Sequence, residues 1–222
     1  MNFGYQLDPG YILAHADALL AGLAWTVALT AIGLVGGIAL GILGGVARAY
    51  HVPVVSPAIA CVVEFIRTTP LFVQIFFLYF GLPELGLELP GLAVASLSLV
   101  IWGAAYNTEN FRAAIEALPH GYAEAARALG LRGRATFRLV SLPILIRYAL
   151  PSVTNTSVET LKGSSLMLAI SFPELTDTTI NLVSVSFRVF ELFFVLGITY
   201  LLLAAALTRL MRAFENHLAW PA

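Results

Sequence analysis

Residues 18–47 are apolar or small and carry no charge. About 20 such residues suffice to cross the hydrocarbon core of a bilayer as a helix. Four more apolar stretches follow, at roughly 57–82, 91–112, 144–172 and 189–208, separated by segments rich in Pro, Gly or charge. The pattern predicts an all-α, polytopic membrane protein with about five transmembrane helices, forming a single transmembrane domain over 1–222.

Within the first stretch Gly33, Gly37, Gly41 and Gly45 recur every four residues, so they share one helix face. A stripe of small residues lets another helix approach closely, although glycine is also common in membrane helices generally. The second stretch is broken by Glu64 and by Arg67-Thr68-Thr69-Pro70. Pro70 lacks an N–H and predicts a kink. Glu64 and Arg67, three apart, share a face if the segment is helical. Charges inside a span face the bundle interior, each other or water. These two fit either a solute route or an ion pair at the membrane interface.

The third stretch runs on through Asn107, Glu109, Asn110 and Arg112. That run fits a polar path, and it equally fits a span emerging into the cytoplasm. The fourth is interrupted by Pro151 and by Glu159 and Lys162, with Ser157, Thr160, Ser164 and Ser165 around them. Two readings fit this cluster: a water-filled or substrate-lined interior, or a buried pair that pins helix packing.

The loops then set an orientation. Arg48, the arginines between 112 and 147, Arg209 and Arg212 fall on one side. Asp8, Asp17, Glu84, Glu88, Glu174 and Asp177 fall on the other, with Arg188 the one basic residue near their border. An excess of Lys and Arg marks the cytoplasmic side, so the N-terminus is expected outside and the C-terminus in the cytoplasm. Segments 81–90 and 173–186 read as outside loops, the second with room for a short helix. The loop 117–143 reads as cytoplasmic. It holds Arg127, Arg132, Arg134 and Arg138, the densest basic cluster in a chain with only 12 Lys and Arg. Residues 124–129 are strong helix formers, and Gly130 stands where a helix ends on a left-handed residue. A second helical run, 134–140, is expected to stop before Pro143.

Composition excludes other classes. The chain is 59% hydrophobic and 11% charged, where a soluble domain carries about 25% charged residues. Its place is in the lipid bilayer, with no nucleic-acid partner implied. The formal net charge of -1 says little about partners. The single cysteine, Cys61, allows no intramolecular disulfide and reads as a small buried hydrophobe. Residues 1–6 lack the positive region of a cleavable signal, so the first stretch reads as a retained span. His15, His51, His120 and His217 show no metal-ligand spacing, and no nucleophile–base constellation appears, which argues against a membrane enzyme. No Gly-x4-Gly-Lys-Ser/Thr occurs, so ATP, if it drives this protein, is bound by another chain.

The loop carries the resemblance. Glu124-Ala125-Ala126, three residues, Gly130, nine residues, then Val140-Ser141-Leu142-Pro143 resembles the EAA loop of bacterial ABC-importer permeases. That loop has Glu-Ala-Ala, three, Gly, nine, Ile, any residue, Leu-Pro; here Val140 takes the Ile place. Residues 65–74, with Arg67-Thr68-Thr69-Pro70-Leu71 and Gln74, resemble a second-span signature of the polar amino acid branch. Ala105-Tyr106-Asn107-Thr108-Glu109-Asn110-Phe111-Arg112 resembles a further family segment, with Thr108 in an alanine's place. Lys162-Gly163-Ser164-Ser165-Leu166 resembles its Lys-x-Thr-Ser-Leu element, with Gly163 and Ser164 departing from the commoner Asp and Thr. The run 142–145 also lacks the Gln often found after that proline.

The resemblance implies a permease subunit that pairs with an identical or related second subunit. It also implies two cytoplasmic ATP-binding subunits, which hold the ATP and Mg, and an extracytoplasmic substrate-binding protein. This chain is expected to hold no cofactor, and to sit in a bacterial inner membrane. Glu124, Ala125, Ala126, Gly130, Leu142 and Pro143 would serve ATPase coupling, with the two alanines suited to close docking. Glu64, Arg67, Glu109, Glu159, Lys162 and Ser165 are candidates for the substrate path, because an amino acid zwitterion needs a partner for each of its charges. The competing reading is an ATP-independent secondary transporter or channel subunit. It would favour an inverted repeat, and none is visible between the halves.

Overall fold

The glycine stripe has its partner within the chain. In the computed structural model, which describes residues 9–131 and 133–218, α1 (Pro9–Ala14) leads into the long helix α2 (Ala16–Ala49). Asp8 and Arg132, assigned above to opposite sides, lie outside the described residues, as does the segment 1–6. Along α2 the stripe lies against α5 (Gly91–Glu116). Gly33 meets Leu99, Gly37 meets Gly103, Gly41 meets Asn107 and Gly45 meets Phe111. A Cβ on Gly37 would come within 3.1 Å of the Gly103 backbone. Partner positions rise together in steps of four, so α2 and α5 run parallel.

Two parallel neighbours require the chain between them to return. That return is α3 (Val55–Thr68) and α4 (Leu71–Phe76), which continues as helix through Gly81. The two segments meet at an angle of 105°. The break falls at Thr69-Pro70, as the proline predicts. After α5 come three loop and span elements: α6 (His120–Ala128), the single turn α7 (Arg134–Thr136) and α8 (Leu142–Gly163). Phe111 and Ala114 of α5 pack on Leu145, Ala149 and Val153 of α8, while Asn110 donates to Thr156 at 2.9 Å. Numbers rise on one helix as they fall on the other, so α8 is antiparallel to α5. Past a 3₁₀ stretch, α9 (Leu175–Ser186) precedes α10 (Val189–Leu218), which packs back along α8 with Met211 against the same cluster.

Among the described residues the result is five passes of alternating direction. By length and composition α2, α5, α10 and the bent α3–α4 pair are apolar enough to cross a bilayer. α8, with Arg147, Glu159 and Lys162, is too polar to be recognised that way, yet its 22 residues rise about 33 Å at 1.5 Å per residue. The second apolar core, Leu29, Ile75, Val94, Leu99 and Met167, joins α2, α4 and α5 near the other end.

Four expectations change. Pro143 opens α8 instead of stopping the helical run before it; the wide turn over Phe137–Ser141 carries the helix past it. Pro151 sits inside α8 without interrupting it. Segment 173–186 does hold a short helix, α9, but it is packed onto α2 and α10 with Glu174 fully buried, where exposed connecting chain was expected. Cys61 is exposed, because it lies on a face of α3 that nothing among the described residues covers.

Candidate functional site

The loop between α5 and α8 is built almost wholly of helical turns. α6 closes with a pair of capping bonds: Gly130 N–H donates to the Arg127 carbonyl and Leu131 N–H to the Ala126 carbonyl, both at 3.0 Å. Gly130 has φ +80, so the left-handed helix end expected there is present. Gly133, with φ +51, turns the chain into α7, and a wide helical turn over Phe137–Ser141 leads straight into α8. Leu142 and Pro143 are therefore the first residues of a span.

The loop helix has two faces. Tyr122, Ala125 and Leu129 are exposed, Leu129 to 81%, and their spacing puts them on one side of α6. Glu124 is exposed as well. Ala126 is only 2% exposed and is turned into its own chain. Of the two alanines expected to dock, only Ala125 is accessible to a partner. Beside Tyr122, a groove of about 490 Å³ is walled by Leu139, Val140, Pro143 and Tyr148. An accessible apolar strip on an otherwise polar loop is the character of a protein–protein contact.

At the Pro70 break the carbonyls ending α3 lose their helical donors. Gln74 replaces them. Its amide donates to the Ile66 and Thr69 carbonyls, 2.9 Å each, and it is buried. Gln74 was not among the candidate residues, though the proline-to-glutamine spacing in the second span was its signal. Gln74→Leu is expected to cost about 1–3 kcal/mol, since it leaves these carbonyls unpaired. A thermal unfolding midpoint in detergent equal to wild type would contradict this. Of its neighbours, Glu64 and Arg67 are both exposed, and no ion pair joins them among the described residues. Arg67 instead lies 5.2 Å from the centre of the Tyr106 ring.

Glu109 sits where the lower ends of α2 and α5 meet. Its Oε1 accepts from Arg48 of α2. Its Oε2 accepts from Arg112 Nη2 at 2.8 Å and Nε at 3.1 Å. Arg112 also reaches Glu116 at 2.5 Å. A ladder of four charges thus runs from the end of α2 to the last residue of α5.

The remaining candidates gather at the end of α8, Glu159 and Lys162 on the helix and Ser165 in the 3₁₀ stretch that follows it. Lys162 Nζ lies 2.7 Å from Glu159 Oε1, and both side chains are more than half exposed. Ser165 donates to the Lys162 carbonyl at 2.7 Å. The pair lines a groove of about 480 Å³ between α8 and α10, with Thr154, Asn155, Arg212 and Glu215. The buried Thr154 hydroxyl finds no partner among the described residues. On a membrane-crossing helix, an exposed ion pair is costly against lipid and belongs against water or another subunit.

One further cluster escaped the sequence. The Glu174 carboxylate accepts from Asp177 N–H at 2.8 Å, from the Tyr200 hydroxyl at 3.0 Å and from the Thr26 hydroxyl at 3.2 Å. Thr26 in turn accepts from Leu175 N–H at 3.1 Å. The cluster ties α2, α9 and α10 together.

Comparison with known proteins places this arrangement in context. The family described as "Binding-protein-dependent transport system inner membrane component" matches residues 19–220. The glutamine transport system permease protein GlnP of Escherichia coli (strain K12) is 31% identical over 215 residues, 96% of this chain and 98% of that one. The nopaline transport system permease protein NocM of Agrobacterium fabrum (strain C58 / ATCC 33970) is 32% identical over 220 residues, 94% of this chain and 91% of its own. Among solved structures, an amino acid ABC transporter crystallised with histidines superposes with a TM-score of 0.86 and 28% identity, covering 96% of this chain and all (100%) of that one. The MetNI methionine ABC transporter in an inward-facing form shares the fold, with a TM-score of 0.77 and 19% identity over 93% of this chain and 99% of that one.

Proposed function

The chain belongs to the family of binding-protein-dependent transport system inner membrane components, and from that premise we propose how it works and what it carries. It is a multi-pass permease subunit of an ABC importer, a transport component whose ATP is hydrolysed by a separate subunit. Its cargo is a polar amino acid or a related small solute, as the names of its relatives suggest.

Two such permeases, identical or related, face each other in a bacterial inner membrane and enclose the route. The exposed Glu159–Lys162 pair supports this, since it needs water or a second subunit in place of lipid. The basic loop end of the bundle faces the cytoplasm, by the distribution of arginines, and the N-terminus lies outside. There the loop helix docks on an ATP-binding subunit, which holds the ATP and Mg, with no cofactor in this chain. A substrate-binding protein delivers solute to the opposite side. Glu159, Lys162 and Ser165 are the part of the candidate substrate path whose exposure fits that role, while Glu64 and Arg67 remain candidates at the bent span.

One observation carries the coupling reading: the exposed strip Tyr122, Ala125 and Leu129 on a helix that Gly130 caps and Pro143 joins directly to a span. Coupling through Glu124, Ala125, Gly130, Leu142 and Pro143 follows from it, with Ala126 serving inside the loop. The test is affinity purification of the tagged chain from its native membranes, with ATPase activity assayed in the eluate. Wild type is expected to bring ATPase activity with it. Ala125→Asp is expected to lose at least tenfold of it at an unchanged unfolding midpoint, because a carboxylate buried without a partner costs several kcal/mol. Wild type without ATPase activity, or Ala125→Asp with full activity, would overturn the reading.

A further inference from the structure

Glu109 was a candidate for the substrate path, but its surroundings leave nothing for a solute. Both carboxylate oxygens are occupied by guanidinium groups of this chain, and the side chain is 17% exposed. Its position is the informative part. Arg48 belongs to the last turn of α2, and Glu116 is the last residue of α5, immediately before the segment leading to α6. The four charges bridge the two parallel spans at the root of the loop.

Above this ladder α2 and α5 pack closely, with Leu99, Val100, Asn107, Thr108 and Phe111 of α5 lying over the glycines of α2. The ion pairs close the loop end of that seam, where the glycine stripe stops. Among the described residues Glu109 is the acid that contacts both Arg48 and Arg112; without it Arg112 still reaches Glu116, but Arg48 loses its ion pair and is left repelling Arg112.

We propose that Glu109 is a positioning residue that clamps the loop end of α2 to α5, so that displacement of the loop helix moves both spans as one body. The inference rests on the coupling reading above and adds the link by which a push on α6 reaches the first span. Arg112 and Glu116 carry the motion up from the loop; Arg48 passes it to α2. No solute contact is involved.

The experiment uses the whole complex, purified with its ATPase and placed in lipid nanodiscs, on a Cys61→Ser background. A single spin label is placed either at Gly121→Cys on α6, where nothing lies within 4 Å, or at Leu20→Cys, an exposed site at the far end of α2. Spectra are compared without nucleotide and after trapping with ATP and vanadate. In the parent both labels are expected to respond. With Glu109→Gln, the α6 label is expected to respond as before, while the α2 response falls at least fivefold. Glu109→Asp is expected to recover part of it. A full α2 response in Glu109→Gln overturns the clamp. If Glu109→Gln fails to assemble, Arg48→Gln breaks the same link while leaving Arg112–Glu109 intact, and it decides the question in the same way. A parent in which neither label responds overturns the coupling reading itself, and the clamp with it.

Discussion

Gly37→Val is expected to prise the first and third spans apart and to leave little folded protein in detergent. A Cβ at this position meets the backbone of Gly103 at 3.1 Å, and Ala104 N lies 3.3 Å away. Backbone cannot rotate aside as a flexible side chain can, so relief requires the helices to separate. Separation along this seam also costs the contacts at Gly33, Gly41 and Gly45, because one rigid helix carries all four. Overpacking a well-packed site costs about 1–3 kcal/mol and occasionally more; contact with backbone on a shared seam puts this substitution at the upper end. The measurement is monodisperse yield by size exclusion together with the unfolding midpoint. Gly197→Val, on α10 where nothing lies within 4 Å, is the control and is expected to behave as wild type. Equal behaviour of the two variants would show that the α2–α5 seam is not what holds the bundle.

Glu174→Ala is expected to be nearly as damaging, by a different route. The carboxylate is wholly buried and takes three hydrogen bonds, from Thr26 on α2, Tyr200 on α10 and the first turn of α9. Removing it leaves two hydroxyls and a backbone N–H without this acceptor in the interior. Each buried group left unsatisfied costs about 1–3 kcal/mol, and the lost side chain also leaves a void between three helices. A loss of about 3 kcal/mol or more is the expected total. Glu174→Gln keeps the shape and one oxygen acceptor, so it is expected to cost less than half as much. Limited proteolysis would follow the same order, with α9 the first segment released. If Glu174→Ala unfolds at the wild-type midpoint, the cluster is not a structural tie.

The spans, the loop and the bend were legible because each is a local property of the chain. A charge-free run of sufficient length has one low-energy course through lipid. Gly130 ends its helix left-handed and Pro70 breaks one through effects that arise within a few residues, although the unbroken helix through Pro151 shows that a proline alone does not decide the matter. The four-residue glycine period announced a close approach equally well, but not to what. That its partner is α5, in parallel register, depends on the return made by the bent pair.

What escaped the sequence was every decision made at long range. Glu174 looked like a loop acid because Thr26 lies 148 positions away, and only folding brings its hydroxyl to the carboxylate. Glu109 and Glu159 look alike in sequence, each an acid within a polar run of a span. Folding places one between two arginines and leaves the other on an open groove. Ala125 and Ala126 are the clearest pair. As letters they are identical neighbours in one motif. About 100° of helical rotation per residue separates the exposed face from the face packed into the chain, and where that division falls is set by how α6 lies against the turn that starts α8. The sequence by itself determined that the chain crosses a membrane, where it bends and which loop carries the basic cluster and the left-handed helix end. Tertiary structure decided which polar groups are spent inside the chain and which remain to act, because a side chain's partner is fixed by packing and not by its neighbours in sequence.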